Sequence, residues 1–346
     1  MKCGFEVVLV GRTRQESQLL AKRSYTTERM HLLFEKEAVF YAEFNFRLFF
    51  FLLFRKADVL ISNDLDTLLP NYLVSKIKNI PLVYDSHEYF CGVPELEQND
   101  FARKCWLSIE KSIFPRLKHV FTVNDSIAEL YKKQYNVDVK VVRNIPLKRD
   151  RLITKTRQDL NLPVDKKILL LQGAGINVDR GVEELIDAMQ WINNAVLLII
   201  GGGDVIENLK MQVIALQLND KIRFIPKLPF DELYNYTVLA DLGLTLDKNT
   251  NINYRFSLPN KLFDYISAGI PVLSSDLKEI RKVIEKYNIG EILSDLQPEH
   301  IATHINQLLE DDIKMAAFRK NTFFANEELC WENEEKELIK VYQKYV

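Results

Sequence analysis

Histidine, amide and carboxylate side chains that follow predicted β-strands are the residues of this sequence best suited to chemistry. His87 and Glu88 follow the apolar run Leu82–Asp85, and Asn63 and Asp64 follow a second such run. In an open parallel sheet, ligands bind beyond the carboxyl ends of the strands, so these positions adjoin the expected site. An imidazole there can exchange hydrogen bonds with a substrate hydroxyl near neutral pH. The alternatives are a structural hydrogen bond for the histidine and helix capping for the other three.

Glycine-rich segments follow two predicted strands in the second half of the chain. Gly173 and Gly175 precede the helical run Glu183–Met189, and Arg180 lies just before that run. Backbone N–H groups at such a turn, the helix N-terminus and the arginine all suit a phosphate, although an ordinary tight turn is the alternative. Three consecutive glycines, Gly201–Gly203, follow the next strand. They indicate a close backbone approach, either by a ligand or by a neighbouring element.

The segment Ser257–Leu273 predicts a helix with polar residues at its start. Asn260 begins the helix and Gly269 ends it. With the apolar positions facing a sheet, Asn260 and Asp264 lie one turn apart and Lys261 lies beside them. A carboxylate placed there suits the vicinal hydroxyls of a ribose or hexose. A surface ion pair between Lys261 and Asp264 is the alternative, and it does not account for the Ser-Leu-Pro-Asn sequence at the helix entrance.

The elements that must position these residues form two α/β patterns in tandem. Short β-branched runs alternate with longer helical patterns, which is typical of βαβ units on parallel sheets. A chain of 346 residues also exceeds the usual limit for one hydrophobic core. We therefore expect two doubly wound domains. The predicted strands are Glu6–Gly11, Asp58–Ser62, Leu82–Asp85, His119–Val123 and Val139–Arg143, then Lys167–Gln172, Ala195–Gly201, Ile222–Ile225, Leu242–Leu246 and Pro271–Ser275.

The domain borders are predicted from a change of pattern in the middle of the chain. Asn144–Leu162 lacks a clear period and is rich in arginine and lysine, so we place the linker there. We predict an N-terminal domain over residues 1–150 and a C-terminal domain over residues 151–325. One amphipathic helix over Asn326–Val346 is expected to close the fold.

The composition excludes several classes of protein. The 46 basic and 48 acidic residues are scattered and give a net charge of −2, which disfavours nucleic acid as the main partner. No cysteine spacing fits a zinc site or a disulfide framework, so we expect free thiols in a reducing compartment. The first eleven residues do not form a secretory signal, which favours the cytoplasm. The four cysteines are Cys3, Cys91, Cys105 and Cys330.

The most apolar stretch of the chain is Phe46–Phe54, which contains Arg47. It is well short of the roughly 20 apolar residues needed to span a bilayer. We expect a helix buried against the first sheet. The alternative is a partly exposed aromatic face that makes peripheral contact with a membrane.

Taken together, these features resemble glycosyltransferase family 4, and the similarity runs from about Glu6 to the C-terminal helix. The bacterial surface-polysaccharide enzymes of that family are the most similar members. The resemblance implies the GT-B fold, in which two Rossmann-like, doubly wound domains face a cleft. It also implies a retaining hexosyltransferase that moves a sugar from a nucleoside diphosphate sugar to a saccharide or lipid-linked acceptor. No cofactor and no metal are implied, and the reaction would occur in the cytoplasm, at the inner face of the membrane.

The resemblance assigns roles to the residues described above. His87 lies by the reacting sugar, Glu88 steadies the turn on the acceptor side, and Asn63 and Asp64 line the acceptor pocket. Asp264 matches the second acidic residue of the family's Glu-x7-Glu motif and contacts the donor ribose. The implied donor-binding residues are Gly173, Gly175, Arg180, Gly202, Gly203, Ser257, Asn260, Lys261 and Asp264.

Three departures from the family pattern carry weight. The arginine expected after the first glycine of the second domain is Ala174, and the first acidic residue of the Glu-x7-Glu motif is Phe256. The family also begins with a strand, a glycine-rich turn and a helix before the segment that resembles Cys3–Gly11. That first βα unit is not found here, which puts both stability and catalysis of the chain in doubt.

Three other functions remain open at this stage. A GT-B sugar-nucleotide epimerase would need more carboxylates and histidines, and the chain has five histidines. A non-catalytic sugar-nucleotide-binding protein is consistent with the three departures. A nicotinamide-dependent oxidoreductase would need a G-x-G-x-x-G segment after a strand with an acidic residue about 20 positions later, which the sequence lacks.

Overall fold

The computed structural model describes residues 4–14, 17, 20, 22–97, 99–149, 151 and 153–345, so Cys3 lies outside the described residues. The chain divides into two compact units. Unit 1 comprises Met1–Val142 together with Lys336–Val346, and unit 2 comprises Arg143–Glu335. The borders expected from the sequence lie at residues 150 and 325.

Unit 1 contains two parallel sheets. Strands β3, β4, β5 and β6 form a four-stranded sheet in that order, and β1 pairs with β2 in a separate two-stranded sheet. The elements of unit 1 in chain order are β1 (Val8–Thr13), β2 (Thr26–His31), α1 (Glu37–Phe54), β3 (Leu60–Asn63), α2 (Leu68–Lys78), β4 (Leu82–Ser86), α3 (Pro94–Glu97), α4 (Asp100–Ile113), β5 (His119–Thr122), α5 (Asp125–Tyr135) and β6 (Val139–Val141).

Helix α1 is only partly buried. Phe40, Phe44 and Leu48 form an apolar cluster with side chains of the β1–β2 sheet. On the remaining surface, 65% of Phe46 and 81% of Phe54 are exposed. The expectation of a buried helix is therefore wrong for this face, because the buried residues recur every four positions and cover one side only. None of the helices among the described residues combines the length and the apolar character needed to cross a bilayer.

Unit 2 contains one six-stranded parallel sheet in the order β12-β11-β10-β7-β8-β9. The chain builds outward from β7 through β8 to β9, then returns to the other side of β7 with β10. The strand order thus reverses between β7 and β10. The elements of unit 2 are β7 (Lys167–Gly173), α6 (Val182–Ala188), β8 (Ala195–Gly201), α7 (Ile206–Ala215), β9 (Ile222–Ile225), α8 (Phe230–Thr237), β10 (Leu242–Thr245), α9 (Ile252–Arg255), α10 (Asn260–Ala268), β11 (Val272–Ser275), α11 (Lys278–Tyr287), β12 (Gly290–Leu293), α12 (Pro298–Glu310) and α13 (Asp312–Glu328).

Two hydrophobic cores sandwich this sheet. Alternate residues of β7 and β8 point to opposite faces, so Leu169 and Leu171 belong to one core and Ile168 and Leu170 to the other. A sheet covered on both faces requires the continuous apolar runs seen in the sequence. The prediction of two α/β units with parallel sheets is confirmed.

The segment expected to act as a linker instead packs into unit 2. Within Asn144–Leu162, Ile145 and Leu162 are buried in the second core. Arg151 donates hydrogen bonds to the backbone oxygens of Ile266 and Ser267, near the end of α10. The absence of sequence periodicity agrees with the structure, because the described residues of this segment form neither helix nor strand.

The C-terminal region contains two helices where the sequence predicted one. Helix α13 ends at Glu328, and α14 (Trp331–Tyr342) begins after a break of two residues. The amide of Asn333 donates to the backbone oxygens of Glu327 and Glu328. These bonds satisfy carbonyls that a continuous helix would have used, which fixes the break.

Three of the four cysteines lie among the described residues. Cys91 and Cys330 are buried and Cys105 is exposed, and all three are free thiols. The prediction of free thiols is confirmed for these three residues.

Candidate functional site

A cavity of about 340 Å³ lies in unit 2, where β7 and β8 end. The loop after β7 forms one wall and the first turn of α10 forms another. The reversal of strand order beside β7 leaves a crevice at this edge of the sheet, which is where doubly wound domains bind ligands. Three basic side chains, Arg180, Lys227 and Lys261, line the cavity together with one acidic side chain, Asp264. The lining therefore favours an anion.

The glycines of Gly201–Gly203 have two different structural roles. A β-carbon on Gly203 would lie 2.1 Å from the backbone oxygen of Ile176, and one on Gly201 would lie 1.7 Å from the oxygen of Gly173. The close approach predicted from the sequence is therefore made by Gly173 at the end of β7 and by Ile176 in the loop after it, which accounts for both glycines without a ligand. A β-carbon on Gly202 would meet no described atom within 4 Å.

This contrast gives a matched pair of variants. Gly203→Ala should lower the free energy of unfolding by roughly 1–3 kcal/mol, because backbone must move to admit the methyl group. Gly202→Ala should change it by less than about 0.5 kcal/mol. Urea unfolding of both variants measures the difference. Equal losses of stability in the two variants would show that the backbone contact is not the reason why residue 203 is a glycine.

Helix α10 presents its N-terminus to the cavity. Its residues Asn260, Lys261 and Asp264 line the cavity, and its first turn holds no acidic residue. Helix α6, in contrast, has Glu183 and Glu184 in its first turn, and their charge opposes an anion there. The N-terminus of α10 is the better placed of the two for a phosphate.

Asp264 is held at the cavity wall by a chain of hydrogen bonds. Its Oδ2 accepts a hydrogen bond from Gln172 Nε2 at 3.0 Å, and Gln172 Oε1 accepts one from the Thr237 hydroxyl at 2.8 Å. Burial raises the pKa of Asp264 to about 6, against the bond from Gln172, which lowers it. The expected alternative, a surface ion pair with Lys261, is wrong because each residue has a different partner.

Lys261 points instead toward a buried carboxylate, Asp247. Its Nζ lies 3.7 Å from Asp247 Oδ1, and Arg180 Nη1 donates to Asp247 Oδ2 at 3.0 Å. The guanidinium of Arg180 also lies over the ring of Tyr254, with 4.2 Å between Cζ and the ring centroid. Burial lowers the pKa of Lys261, while Asp247 raises it and Arg180 lowers it further. One carboxylate thus adjoins two cations.

The cavity unites most, but not all, of the predicted donor-binding residues. Ser257, Gly202 and Gly203 do not contribute to its lining. Sequence reasoning missed Asp247, although it follows the predicted strand Leu242–Leu246 and so met the criterion of lying just beyond a strand end. It also missed Lys227, which lies two residues after β9. The predicted residues that do line the cavity are Gly173, Gly175, Arg180, Asn260, Lys261 and Asp264.

The predicted residues of unit 1 gather where β3 and β4 end. Asp64 Oδ1 accepts a hydrogen bond from the backbone N–H of His87 at 2.8 Å, so the carboxylate fixes the turn that carries the histidine. The imidazole is 42% exposed, and its Nε2 lies 3.8 Å from Asp85 Oδ2. Burial raises the pKa values of Asp64 and Asp85. His87 is therefore a solvent-accessible imidazole beside two carboxyl groups.

The backbones of the other two predicted residues of unit 1, Glu88 and Asn63, accept hydrogen bonds. The backbone oxygen of Glu88 accepts a hydrogen bond from the hydroxyl of Ser86, and that of Asn63 accepts one from the hydroxyl of Thr67. Both side chains are exposed. Neither Asp64 nor Asn63 caps a helix with its side chain, so the capping alternative is wrong for them.

Comparisons with known proteins match both parts of the chain. Residues 1–146 match a family model described as Glycosyltransferase Family 4, and residues 153–323 match one described as Glycosyl transferases group 1. A search of curated protein sequences finds no match.

Several solved structures are similar to this chain at low sequence identity. Sucrose-phosphate synthase from Thermosynechococcus elongatus is 17% identical, with a TM-score of 0.79 over 99% of this chain and 90% of that protein. HepE from Anabaena, solved with UDP-glucose, is 16% identical, with a TM-score of 0.72 over 92% and 86%. WaaG, a glycosyltransferase involved in lipopolysaccharide biosynthesis, is 16% identical, with a TM-score of 0.70 over 97% and 91%.

The matches and the parallel sheets together define the class of protein. The fold is GT-B, and the chain is a glycosyltransferase.

Proposed function

We propose that this glycosyltransferase moves a sugar from a nucleoside diphosphate sugar to an acceptor hydroxyl, with retention at the anomeric carbon and without a cofactor. The observation that carries the proposal is the cavity at the end of β7, where Arg180, Lys227 and Lys261 meet the N-terminus of α10. A diphosphate is negatively charged and therefore complements these three basic side chains. HepE from Anabaena, which has a similar fold, was solved with UDP-glucose, and this also supports such a donor.

The proposed reaction separates charge at the donor. The bond between the anomeric carbon and the diphosphate breaks, and its electron pair stays on the diphosphate. The acceptor oxygen bonds to that carbon and gives up its proton to the leaving diphosphate, so that sugar and proton exchange places. Cations and N–H groups already in place stabilise the leaving diphosphate without reorganisation, which is usually the largest single contribution to catalysis. Arg180, Lys261 and the first turn of α10 would supply this effect.

The remaining residues would hold the sugar parts of the two substrates. Asp264 has an oxygen free of Gln172 and would accept hydrogen bonds from donor hydroxyls. His87 would bond to the transferred sugar, and Glu88, Asn63 and Asp64 would support the acceptor. Gly202, with open space in place of a side chain, remains a proposed donor contact, as does Ser257.

We further propose that the acceptor belongs to the synthesis of a bacterial surface polysaccharide or glycolipid at the cytoplasmic face of the membrane. WaaG, whose fold is similar, is involved in lipopolysaccharide biosynthesis. The exposed rings of Phe46, Phe50 and Phe54 would suit a lipid surface. This placement fails if the full chain neither binds anionic vesicles nor uses a lipid-linked acceptor.

The donor proposal predicts that unit 2 alone binds a nucleotide. The test fragment should begin at Arg143, because Ile145 and Leu162 are part of the core. Calorimetry with UDP, GDP and ADP should show binding of at least one to Arg143–Glu335. A nucleotide at 100 times its Kd should also stabilise the fragment by about 2.7 kcal/mol. Binding by the full chain and none by the folded fragment would refute the assignment to unit 2.

Turnover separates the enzyme from a non-catalytic binding protein. The full chain should release nucleoside diphosphate from the sugar nucleotide that it binds when an acceptor is present. NMR of the product should show the anomeric configuration of the donor. Tight binding with no release from any nucleotide sugar would favour the non-catalytic alternative, and an inverted product would refute retention.

A further inference from the structure

A buried carboxylate, that of Asp247, lies next to the basic side chains of the cavity wall. Asp247 is 0% exposed and lies two residues beyond the end of β10. Its backbone oxygen accepts a hydrogen bond from the Ser275 hydroxyl at 2.6 Å, which ties it to the end of β11. Burying a charged group is costly unless it is paired. A reason is therefore needed for a carboxylate at this depth.

The pairing of Asp247 is incomplete. Oδ2 accepts a hydrogen bond from Arg180, but Oδ1 accepts none from the described residues and has only the ammonium of Lys261 at 3.7 Å. A carboxylate placed only to stabilise the fold would gain from full pairing. Both of its cations also line the cavity, whereas Asp247 does not.

The two cations would repel each other without this carboxylate. Arg180 lowers the pKa of Lys261 and Asp247 raises it, so the three groups act on one another directly. Arg180 also lies over the ring of Tyr254, and the backbone N–H of Lys248 donates to the backbone oxygen of the preceding residue, Asp179, at 2.9 Å. The loops after β7 and β10 are thus joined next to Arg180.

We infer that Asp247 is a positioning residue, whose buried carboxylate holds Arg180 and Lys261 together at the cavity wall so that both bind the diphosphate of the donor. This inference rests on the proposed function. Asp247 touches neither the donor nor the reacting atoms. It keeps two like charges side by side before the anion arrives, so that little reorganisation is needed when the anion binds.

The same strand offers a matched control at its other end. Asp241 precedes β10 and also adjoins two cations, since Oδ2 pairs with Arg157 at 2.7 Å and Oδ1 with Arg319 at 3.3 Å. Neither arginine lines the cavity. Asp241→Asn and Asp247→Asn therefore remove the same charge from similar pairs, but only one pair adjoins the candidate site.

The test measures UDP binding by the full-length protein. Asp247→Asn should raise the Kd for UDP roughly 10- to 100-fold, the range found when an outer-shell partner of a metal ligand is removed. Asp241→Asn should lower stability but leave this Kd unchanged. The KM for the sugar nucleotide should follow the Kd. Equal effects of the two variants on UDP binding would overturn the inference.

The pH profile gives a readout that a merely structural role would not change. Lys261 binds an anion only while protonated, so affinity falls as pH rises through its pKa. Asp247 and Arg180 are the charged groups that act on it. Removing the negative charge of Asp247 lowers that pKa further, so the fall in UDP affinity should begin at lower pH in Asp247→Asn. An unshifted profile would contradict the inference.

A second variant keeps the test decisive if Asp247→Asn does not fold. Lys261→Gln leaves the pair of Arg180 and Asp247 intact and should abolish the alkaline fall in affinity, with UDP bound at least about tenfold more weakly. Wild-type affinity in this variant would overturn the inference. If the wild-type chain itself binds no nucleoside diphosphate, it is the proposed function that fails.

Discussion

Replacing His87 by alanine should lower kcat by roughly 10²–10⁴, the range typical of a positioned acid–base or hydrogen-bonding side chain. The fold should survive, because the bond that anchors this turn to Asp64 comes from the backbone N–H of residue 87, which alanine retains. The imidazole is exposed, so little packing is lost. Its contact is expected with the transferred sugar, which makes kcat the sensitive quantity.

Binding of nucleoside diphosphate provides the internal reference for this variant. The cations proposed to hold the diphosphate are in unit 2, so its Kd should not change in His87→Ala. His300→Ala is the control variant, because that histidine is also exposed and adjoins a carboxylate, with Nδ1 2.9 Å from Asp295. It should leave both kcat and Kd unchanged. A His87→Ala enzyme with wild-type kcat would remove this histidine from the mechanism.

Asp264→Asn should weaken donor binding roughly 10- to 100-fold, since a hydrogen bond to a charged group contributes about 1.5–3 kcal/mol. Asparagine can still accept the hydrogen bond from Gln172, which keeps the side chain in place. The amide nitrogen of the asparagine then presents an N–H donor to the cavity, where the second carboxylate oxygen was an acceptor. Calorimetry with the sugar nucleotide at pH 7.5 measures the loss.

The same variant should behave differently in stability. Burial raises the pKa of Asp264 to about 6, above the value of about 3.9 in an unfolded chain. Compared with the unfolded chain, the unliganded fold favours the protonated form. The resulting contribution to the free energy of unfolding is fully present below pH 3.9 and is lost as pH rises through 6. At pH 7.5 the free energy of unfolding of the Asn variant should therefore equal that of the wild type or exceed it by up to about 3 kcal/mol.

Asp276→Asn is the control for both measurements. Asp276 likewise follows a strand of the same sheet, but it is exposed and paired with Arg281 at 2.7 Å. Its loss should leave donor affinity unchanged and alter the free energy of unfolding by no more than about 1 kcal/mol, as for an exposed ion pair. If Asp264→Asn lost stability and kept its affinity, Asp264 would be a structural residue of α10.

The fold was predictable where burial imposes a long apolar pattern. Strands β7 and β8 are covered on both faces, and Lys167–Gln172 and Ala195–Gly201 were both expected as strands. The two strands that were not expected, β2 and β12, lie at edges of their sheets. Thr26–His31 is mostly polar and Gly290–Leu293 has four residues. Neither segment has the apolar run or the strict apolar–polar alternation that indicates a strand in a sequence.

The site was predictable as far as strand ends and helix starts determine position. Helix α10 begins at Asn260 and is followed by Gly269 in the left-handed region, as the sequence indicated. Partners across the sheet were not predictable. Lys261 and Asp264 are three residues apart, which suggested an ion pair, yet burial gives them the separate partners Asp247 and Gln172. A single aspartate after a strand has no local pattern that marks it as buried.

The interrupted sequence of unit 1 has a consequence for synthesis on the ribosome. Unit 2 is a continuous stretch, whereas unit 1 combines residues 1–142 with residues 336–346. The ring of Tyr342 packs near Phe121 of β5, and that of Tyr345 lies edge-on to His119. The unit whose synthesis begins first can therefore reach its final packing only once residues 336–346 have been made, after the whole of the second unit.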